Sequence, residues 1–326
     1  MKKKFLLVFK FLFTLLGFGF IAFTVKNSCS DIQKVFYGIS FFKVFLIIFL
    51  CCCSVFFIVL RLKYVFSALK IKMPFWGLCR AIYVGYYFNM FLPTSIGGDV
   101  VKVYYAYKLN RKKEESILAV FLDRSVGFIT LLVQAIIGVF FISERVNLPY
   151  FNEMLSCISL LVLAAIMFFY NERCVKLIHF GKNLGVPEKA IKFFLRLYFI
   201  VNKMKGKPLC VLKAVLCSFV LQMLMVFWLF AFAKLLSIPV NYITLFALVP
   251  LVGFVSMLPS INGMGVREGM FVFLLSFFVQ EGYAVVLALL FGLETYSCNI
   301  IGFFVYIFQG VKYKVSEEFR SFEPET

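Results

Sequence analysis

Leu92-Pro93-Thr94-Ser95-Ile96-Gly97-Gly98-Asp99 interrupts one apolar stretch of this chain. Leu258-Pro259-Ser260-Ile261-Asn262-Gly263-Met264-Gly265-Val266-Arg267-Glu268 interrupts another. Each places Leu-Pro, a hydroxyl residue, glycines and then charge beside hydrophobic sequence. Proline removes a helix hydrogen-bond donor, and glycine permits backbone angles that other residues resist. Backbone freed in this way cannot face lipid, so it must be buried in protein or line a wet cavity. Paired interruptions at corresponding places point to the binding site of a transporter. The break residues are Pro93, Gly97 and Gly98 in the first, and Pro259, Gly263, Gly265 and Gly269 in the second.

The surrounding sequence supports a membrane setting. The 326 residues are 63% hydrophobic with a mean hydropathy of +0.96, and several apolar runs reach bilayer-spanning length. Full spans are expected at about 5–25, 40–60, 116–142, 154–170, 209–233 and 284–308. Shorter apolar segments at about 75–92, 242–258 and 269–280 flank the breaks. The expected fold is all-α: one transmembrane bundle over residues 1–326, polytopic, with six full spans and two broken or re-entrant elements. If the second break joins two short spans, the crossings number about eight. The run Phe5 to Val25 after Met1-Lys2-Lys3-Lys4 is too long for a signal-peptide core and lacks a small-residue cleavage site, so it reads as an uncleaved anchor.

Charge is informative by position. The net charge of +18 would suit a nucleic-acid ligand, but the basic residues alternate from loop to loop. The amino terminus, 61–74, 99–115, 171–208 and the tail 309–326 hold 24 Lys and Arg, whereas 26–39, 143–153, 234–241 and 281–283 hold 4. By the positive-inside rule both termini are cytoplasmic, and the charge serves topology and attraction to anionic head groups rather than nucleic acid. Segment 75–98 then has both flanks inside, while the second break lies between Lys234 and Glu281, both outside. Broken elements entering from opposite faces describe an inverted repeat. Within the basic cytoplasmic loop 171–208, Lys189, Lys192, Arg196 and Lys203 oppose Ile191, Phe194, Leu195 and Tyr198. That amphipathic helix fits either the inner leaflet or the flank of the bundle.

Six charges lie in or against apolar sequence: Asp99, Asp123, Arg124, Arg267, Glu268 and Glu294. Facing lipid at the midplane they would together cost on the order of 15–20 kcal/mol, so they must face the interior, water or one another. One reading makes them buried ion pairs that set helix register, Asp123 with Arg124 being the obvious pair. In the other, Arg267 grips a lipid phosphate with its planar fork. Asp99 and Glu268 then meet a cationic head group, carry a proton or hold Arg267. Asn89 and Asn262 either satisfy freed backbone or touch a polar substrate, and Gln134 and Gln222 look like interhelical hydrogen-bond residues. Ten Cys without a CxxC pair, seven of them in apolar runs, and the single His179 imply neither a metal site nor a disulfide framework. A nucleotide-type phosphate loop and the usual nucleophile sets are absent from the sequence, and no cofactor is expected.

At these residues the chain resembles the flippase-like membrane domain of lysylphosphatidylglycerol synthases. That family includes the amino-terminal region of the multiple peptide resistance factor and stand-alone bacterial and archaeal proteins. The matching text is Asn89-Met90-Phe91-Leu92-Pro93 with Gly97-Gly98-Asp99 and Lys102, then Asp123-Arg124 with Gly127. Later come Pro259-Ser260 and Gly263-Met264-Gly265-Val266-Arg267-Glu268-Gly269. The resemblance implies a protein of the bacterial cytoplasmic membrane that moves lipids between leaflets, with anionic phospholipid, aminoacylated lipid or a polyprenyl carrier as partner. Lys102 departs from the family pattern, which often has Arg there, and a point charge lacks the bidentate fork. The soluble transferase domain of full synthases has no counterpart in this sequence, so the resemblance implies no synthase activity. Two rival functions stand beside transport: an intramembrane transferase acting on lipid-linked groups, and an accessory subunit of a cell-envelope complex.

Overall fold

The computed structural model describes residues 41–90, 97–142, 206–256 and 263–308, with Gly19 and Leu195 as isolated positions. These residues form α1 (Phe41–Ala68), α2 (Phe75–Asn89), α3 (Gly97–Asn110), α4 (Lys113–Ile142), α5 (Pro208–Leu235), α6 (Tyr242–Val255), α7 (Val266–Leu275) and α8 (Glu281–Phe308). No strand occurs among the described residues. Lys113–Gly138 of α4, all of α5 and all of α8 are long and apolar enough to cross a membrane. The chain is therefore a polytopic helical membrane protein. The expected spans 5–25 and 154–170, the loop 171–208 up to residue 205, and the tail 309–326 lie outside the described residues, as do Pro93, Pro259 and Asn262.

The described helices form two copies of one helical unit. Phe41 and Ala68 bound α1, and the residues 167 positions later, Pro208 and Leu235, bound α5. The match persists through the turn that follows. Lys70 takes a left-handed φ of 62° and Ser237 one of 54°. The next amides close the helix ends, Ile71 N–H donating to Phe66 O at 3.0 Å and Ile238 N–H to Ala233 O at 2.8 Å. This is the Schellman stop, made with residues that lack glycine's freedom. Extended Pro74 and Asn241 then open α2 and α6. Each unit thus reads long helix, short helix, break, short helix, long helix.

The units run in opposite senses. Lys213, near the start of α5, lies over the ring of Tyr64 near the end of α1. Further along, Arg61 Nη1 donates to Ser218 Oγ at 3.1 Å, so the equivalent helices α1 and α5 are antiparallel. Packing obeys the same exchange: α2 lies on α8 as α6 lies on α4, and α1 on α4 as α5 on α8. Each unit has its own apolar core. One gathers Leu62, Phe66, Leu78, Ile82 and Val120, and the other Trp228, Phe271, Leu275, Leu287 and Phe291. Apolar side chains such as Phe45, Phe49, Leu216 and Phe273 are exposed on the outside, as a lipid-facing surface requires.

Three boundaries differ from the sequence reading. Residues 99–115, expected to be a basic loop, are largely α3, a helix whose Asp99, Lys102 and Lys108 mask its apolar face. Its burial comes from backbone contact with α2, where Gly85 and Gly98 leave no room for a side chain between the helices. Arg61, counted as a loop charge, lies inside α1 and is paired there. Arg267 and Glu268 belong to the first turn of α7 rather than to the break, because left-handed Gly265 (φ 77°) precedes them.

Gly98 is the most constrained of these positions, since a Cβ would overlap Gly85 O and the Asn89 amide. Gly98→Ala is expected to cost about 1–3 kcal/mol through overpacking. Gly253→Ala, which meets only the movable end of Leu131, should cost much less. Thermal unfolding in detergent compares the two, and equal midpoints would contradict the tight α2–α3 contact.

Candidate functional site

At the first break, Asn89 ends α2 and its Oδ1 accepts from Gly98 N–H at 2.6 Å. The amide thereby satisfies one of the orphan donors at the start of α3. Asp99 follows in the first turn, where the helix dipole favours an anion. Its carboxylate is shared by two cations. Lys102 Nζ approaches Oδ1 at 3.1 Å from the same helix, and Arg124 Nε of α4 bonds Oδ2. Lys102 also lies over the Tyr86 ring at 5.7 Å. Asp99 is buried, whereas the Arg124 side chain retains 40% of its exposure.

Asp123 and Arg124 do not pair with each other. Neighbours on a helix point about 100° apart, so each meets a different partner. Asp123 takes a two-pronged contact from Arg61 of α1, Nε to Oδ1 at 2.7 Å and Nη2 to Oδ2 at 3.1 Å. Gly127, one turn on, makes room for that guanidinium, since a Cβ there would lie 2.8 Å from Nη1. The contact continues through Ser218 to Thr130 Oγ1 at 2.7 Å. The Gln222 amide sits 2.8 Å from the same hydroxyl, and Gln134 donates to Phe246 O at 3.1 Å. Polar side chains of α1, α4 and α5 and a backbone carbonyl of α6 are thus stitched across the interface of the two units.

At the second break, Glu268 reaches back to accept from Gly265 N–H at 2.8 Å, the carboxylate half of a capping box. Its other oxygen receives Arg267 Nη2 at 2.5 Å, Arg267 Nε at 3.2 Å and the Tyr296 hydroxyl at 3.0 Å. Arg267 Nη1 donates to Thr295 Oγ1 at 2.6 Å, and the guanidinium lies 5.7 Å from the Phe291 and Tyr296 ring centres. Gly292 on α8 creates this pocket, because a Cβ there would lie 2.7 Å from Glu268 Oε1. Three of the five guanidinium donors are committed within the protein. The pair is buried, with Glu268 1% exposed.

Glu294 links the two regions. It accepts from Ser54 Oγ of α1 at 2.6 Å, lies within electrostatic range of Arg267, and exerts its field on Tyr86. Tyr86 in turn carries Lys102 on its ring and feels Arg61 and Asp123. The candidates Asn89, Asp99, Lys102, Asp123, Arg124, Arg267, Glu268 and Glu294 therefore fall into three neighbouring groups, and Asn262 lies outside the described residues. Sequence reasoning missed Arg61, Ser54, Tyr86, Thr130, Ser218, Thr295 and Tyr296. Arg61 carries a signal, being a charge in the sixth turn of α1 at the end of an apolar run, but the positive-inside count groups it with the adjoining loop.

Fold and site together define a membrane protein with an inverted pair of broken-helix units and ionised side chains buried between its helices. Residues 7–302 match the model of the family described as the lysylphosphatidylglycerol synthase TM region, and the chain belongs to that family. It is thus a membrane protein of the lipid-modifying, flippase-like kind. No curated protein and no solved structure matches it.

The Arg61–Asp123 pair gives a direct test of how these charges are held. Removing one member leaves the other buried and unpaired, which costs about 3–5 kcal/mol. Arg61→Leu is expected to lose that much stability, while Arg61→Leu with Asp123→Leu should recover most of it. Denaturant titration in detergent measures the coupling. Additive losses in the double variant would contradict a buried pair.

Proposed function

We propose that this chain moves a polar-headed lipid between leaflets. The head group follows an interior path from the first break past Tyr86 and Glu294 to the second, while the acyl chains stay in the bilayer. The observation that carries this reading is the repeated placement of a buried acid in the first turn of a short helix. Asp99 occupies it in α3 and Glu268 in α7. Helix amino ends with exposed N–H groups favour phosphate for the same reason they favour these carboxylates. In a broken-helix transporter such ends face the substrate near the midplane. Family membership supports lipid as the cargo class.

The roles follow from the pairing. At the first break Asp99 faces two cations, and Arg124 is the more exposed of them. Lys102 and Arg124 receive the phosphate as Asp99 gives way, while Asn89 fixes the start of α3 by accepting from Gly98 N–H. Arg267 is clamped by Glu268 and Thr295, so its part is to present positive potential and two remaining N–H groups. An alanine at Arg267 or Glu268 strands its partner and tests folding before it tests transport. The surroundings of the first break carry Lys70, Lys72, Arg111 and Lys112, and the positive-inside rule supports reading that entrance as the cytoplasmic one.

Leaflet exchange of a fluorescent phosphatidylglycerol in proteoliposomes, read by a membrane-impermeant quencher, tests this reading. Lys102→Gln combined with Arg124→Gln is expected to slow exchange by about tenfold or more, as loss of charge-assisted bonds to phosphate implies. The variant should keep a monodisperse, folded form. An unchanged rate would remove both residues from the path, and no exchange by the unaltered protein would overturn the function.

A further inference from the structure

A groove of about 550 Å³ lies between α2 and the carboxyl-terminal half of α8. Trp76, Cys79, Arg80 and Tyr83 line one wall, and Ile301, Phe304, Val305 and Phe308 line the other. The spacing on each wall is that of one helix face, i, i+3, i+4 and i+7. Seven of the eight residues are apolar or aromatic, and no acid is among them. Arg80 is exposed, and its charge therefore has no counterpart within the groove.

The inverted repeat explains why the groove exists here. Its counterpart lies between α6 and α4, and that seam is closed. Gly138 sits against the Ala247 backbone so tightly that a Cβ would come within 2.9 Å of Ala247 Cβ. One turn away Gln134 donates to Phe246 O. Carried over by the 167-residue repeat, Gly138 corresponds to Val305 and Ala247 to Arg80. The two small residues that zip one seam are thus replaced by a branched chain and a guanidinium in the other. The α2–α8 seam has a close contact of its own at Gly302, whose added Cβ would overlap Tyr83 O. Beside that contact Arg80 and Val305 line the groove, where the other seam has Ala247 against Gly138.

We infer that this groove is a binding site for one anionic phospholipid, seated from the bilayer and separate from the interior polar path. An acyl chain lies along Phe304, Val305 and Ile301, and the phosphate meets Arg80. Arg80 is the sixth residue of α2, about 7.5 Å along the helix from its start, which suits head-group depth beside Trp76. Pocket size suits part of a lipid, since small-molecule sites are apolar clefts of about 300–1,000 Å³ with a few placed polar groups. The inference does not depend on the transport reading.

The chain reports on this site through its own fluorescence. It has two Trp: Trp76 is 73% exposed in the groove, and Trp228 is 1% exposed in the core. Trp228 Nε1 has no hydrogen-bond partner, so Trp228→Phe sacrifices none and leaves Trp76 as the sole emitter. In nanodiscs of that variant, phosphatidylglycerol with brominated acyl chains should quench Trp76 at about one-fifth the mole fraction that brominated phosphatidylcholine requires. That fivefold preference corresponds to the ~1 kcal/mol a basic residue near an anionic lipid contributes. Arg80→Gln should abolish the preference, and Lys213→Gln, a cation outside the groove, should preserve it. Val305→Phe, which fills the groove, should weaken quenching by both lipids. Equal quenching by the two lipids with Arg80 present would overturn the site. So would a preference that survives Arg80→Gln, or one that Lys213→Gln removes equally. Lys102→Gln with Arg124→Gln should leave Trp76 quenching intact, so a failure of transport and a failure of this site read out separately.

Discussion

A charge inside a membrane protein must be answered by another group, and that requirement organises this molecule. Asp99 draws Lys102 from its own helix and Arg124 from the next. Asp123 draws Arg61 across 62 residues of sequence, and Glu294 draws Ser54 across 240. Each pairing fixes the rotation of a helix, because a turned helix would expose a bare charge to hydrocarbon at a cost of several kcal/mol. Small residues then set how closely the helices approach. Gly98 meets Gly85, Gly127 accommodates Arg61, Gly292 accommodates Glu268, and Gly302 meets Tyr83. Without a hydrophobic force between helices in lipid, such packing and polar contact supply the association.

The scaffold is duplicated, but its chemistry is not. Helix lengths, the left-handed stops at Lys70 and Ser237, and the exchange of packing partners all repeat. The ionised groups fall differently. Arg61 in α1 corresponds by position to Trp228 in α5, which stacks on Phe291 and carries no charge. Gly127, which accommodates a guanidinium, corresponds to Glu294, which supplies an acid. A symmetric frame with asymmetric polar contents gives the two entrances distinct electrostatics: an Asp99 shared by two cations at one, a matched Arg267–Glu268 pair at the other.

Much of the frame was legible in the sequence. The long helices followed from apolar runs, and the two Leu-Pro motifs lie 166 residues apart, close to the 167-residue repeat of the helices themselves. The helix α3 was hidden because its stability comes from contact with α2, while its own sequence carries Asp99, Lys102, Lys108 and Asn110. The candidate residues beside the breaks stand out as charge in apolar text. Their partners did not: Thr295 and Tyr296 are unremarkable in an apolar span, and only the fold brings them to Arg267 and Glu268. The expected Asp123–Arg124 pair failed on helix geometry, which sends adjacent side chains to different neighbours.

The opposed insertion of the two units is the claim on which the rest stands, and cysteine accessibility from each side of the membrane measures it most directly. Pro74 and Asn241 are equivalent, exposed positions at the entrances to α2 and α6. In a background without native cysteines, Pro74→Cys and Asn241→Cys are each labelled with a membrane-impermeant maleimide in inside-out and right-side-out vesicles. The account predicts that Pro74→Cys reacts only from the cytoplasmic face and Asn241→Cys only from the opposite one. Labelling of both from the same face would contradict it.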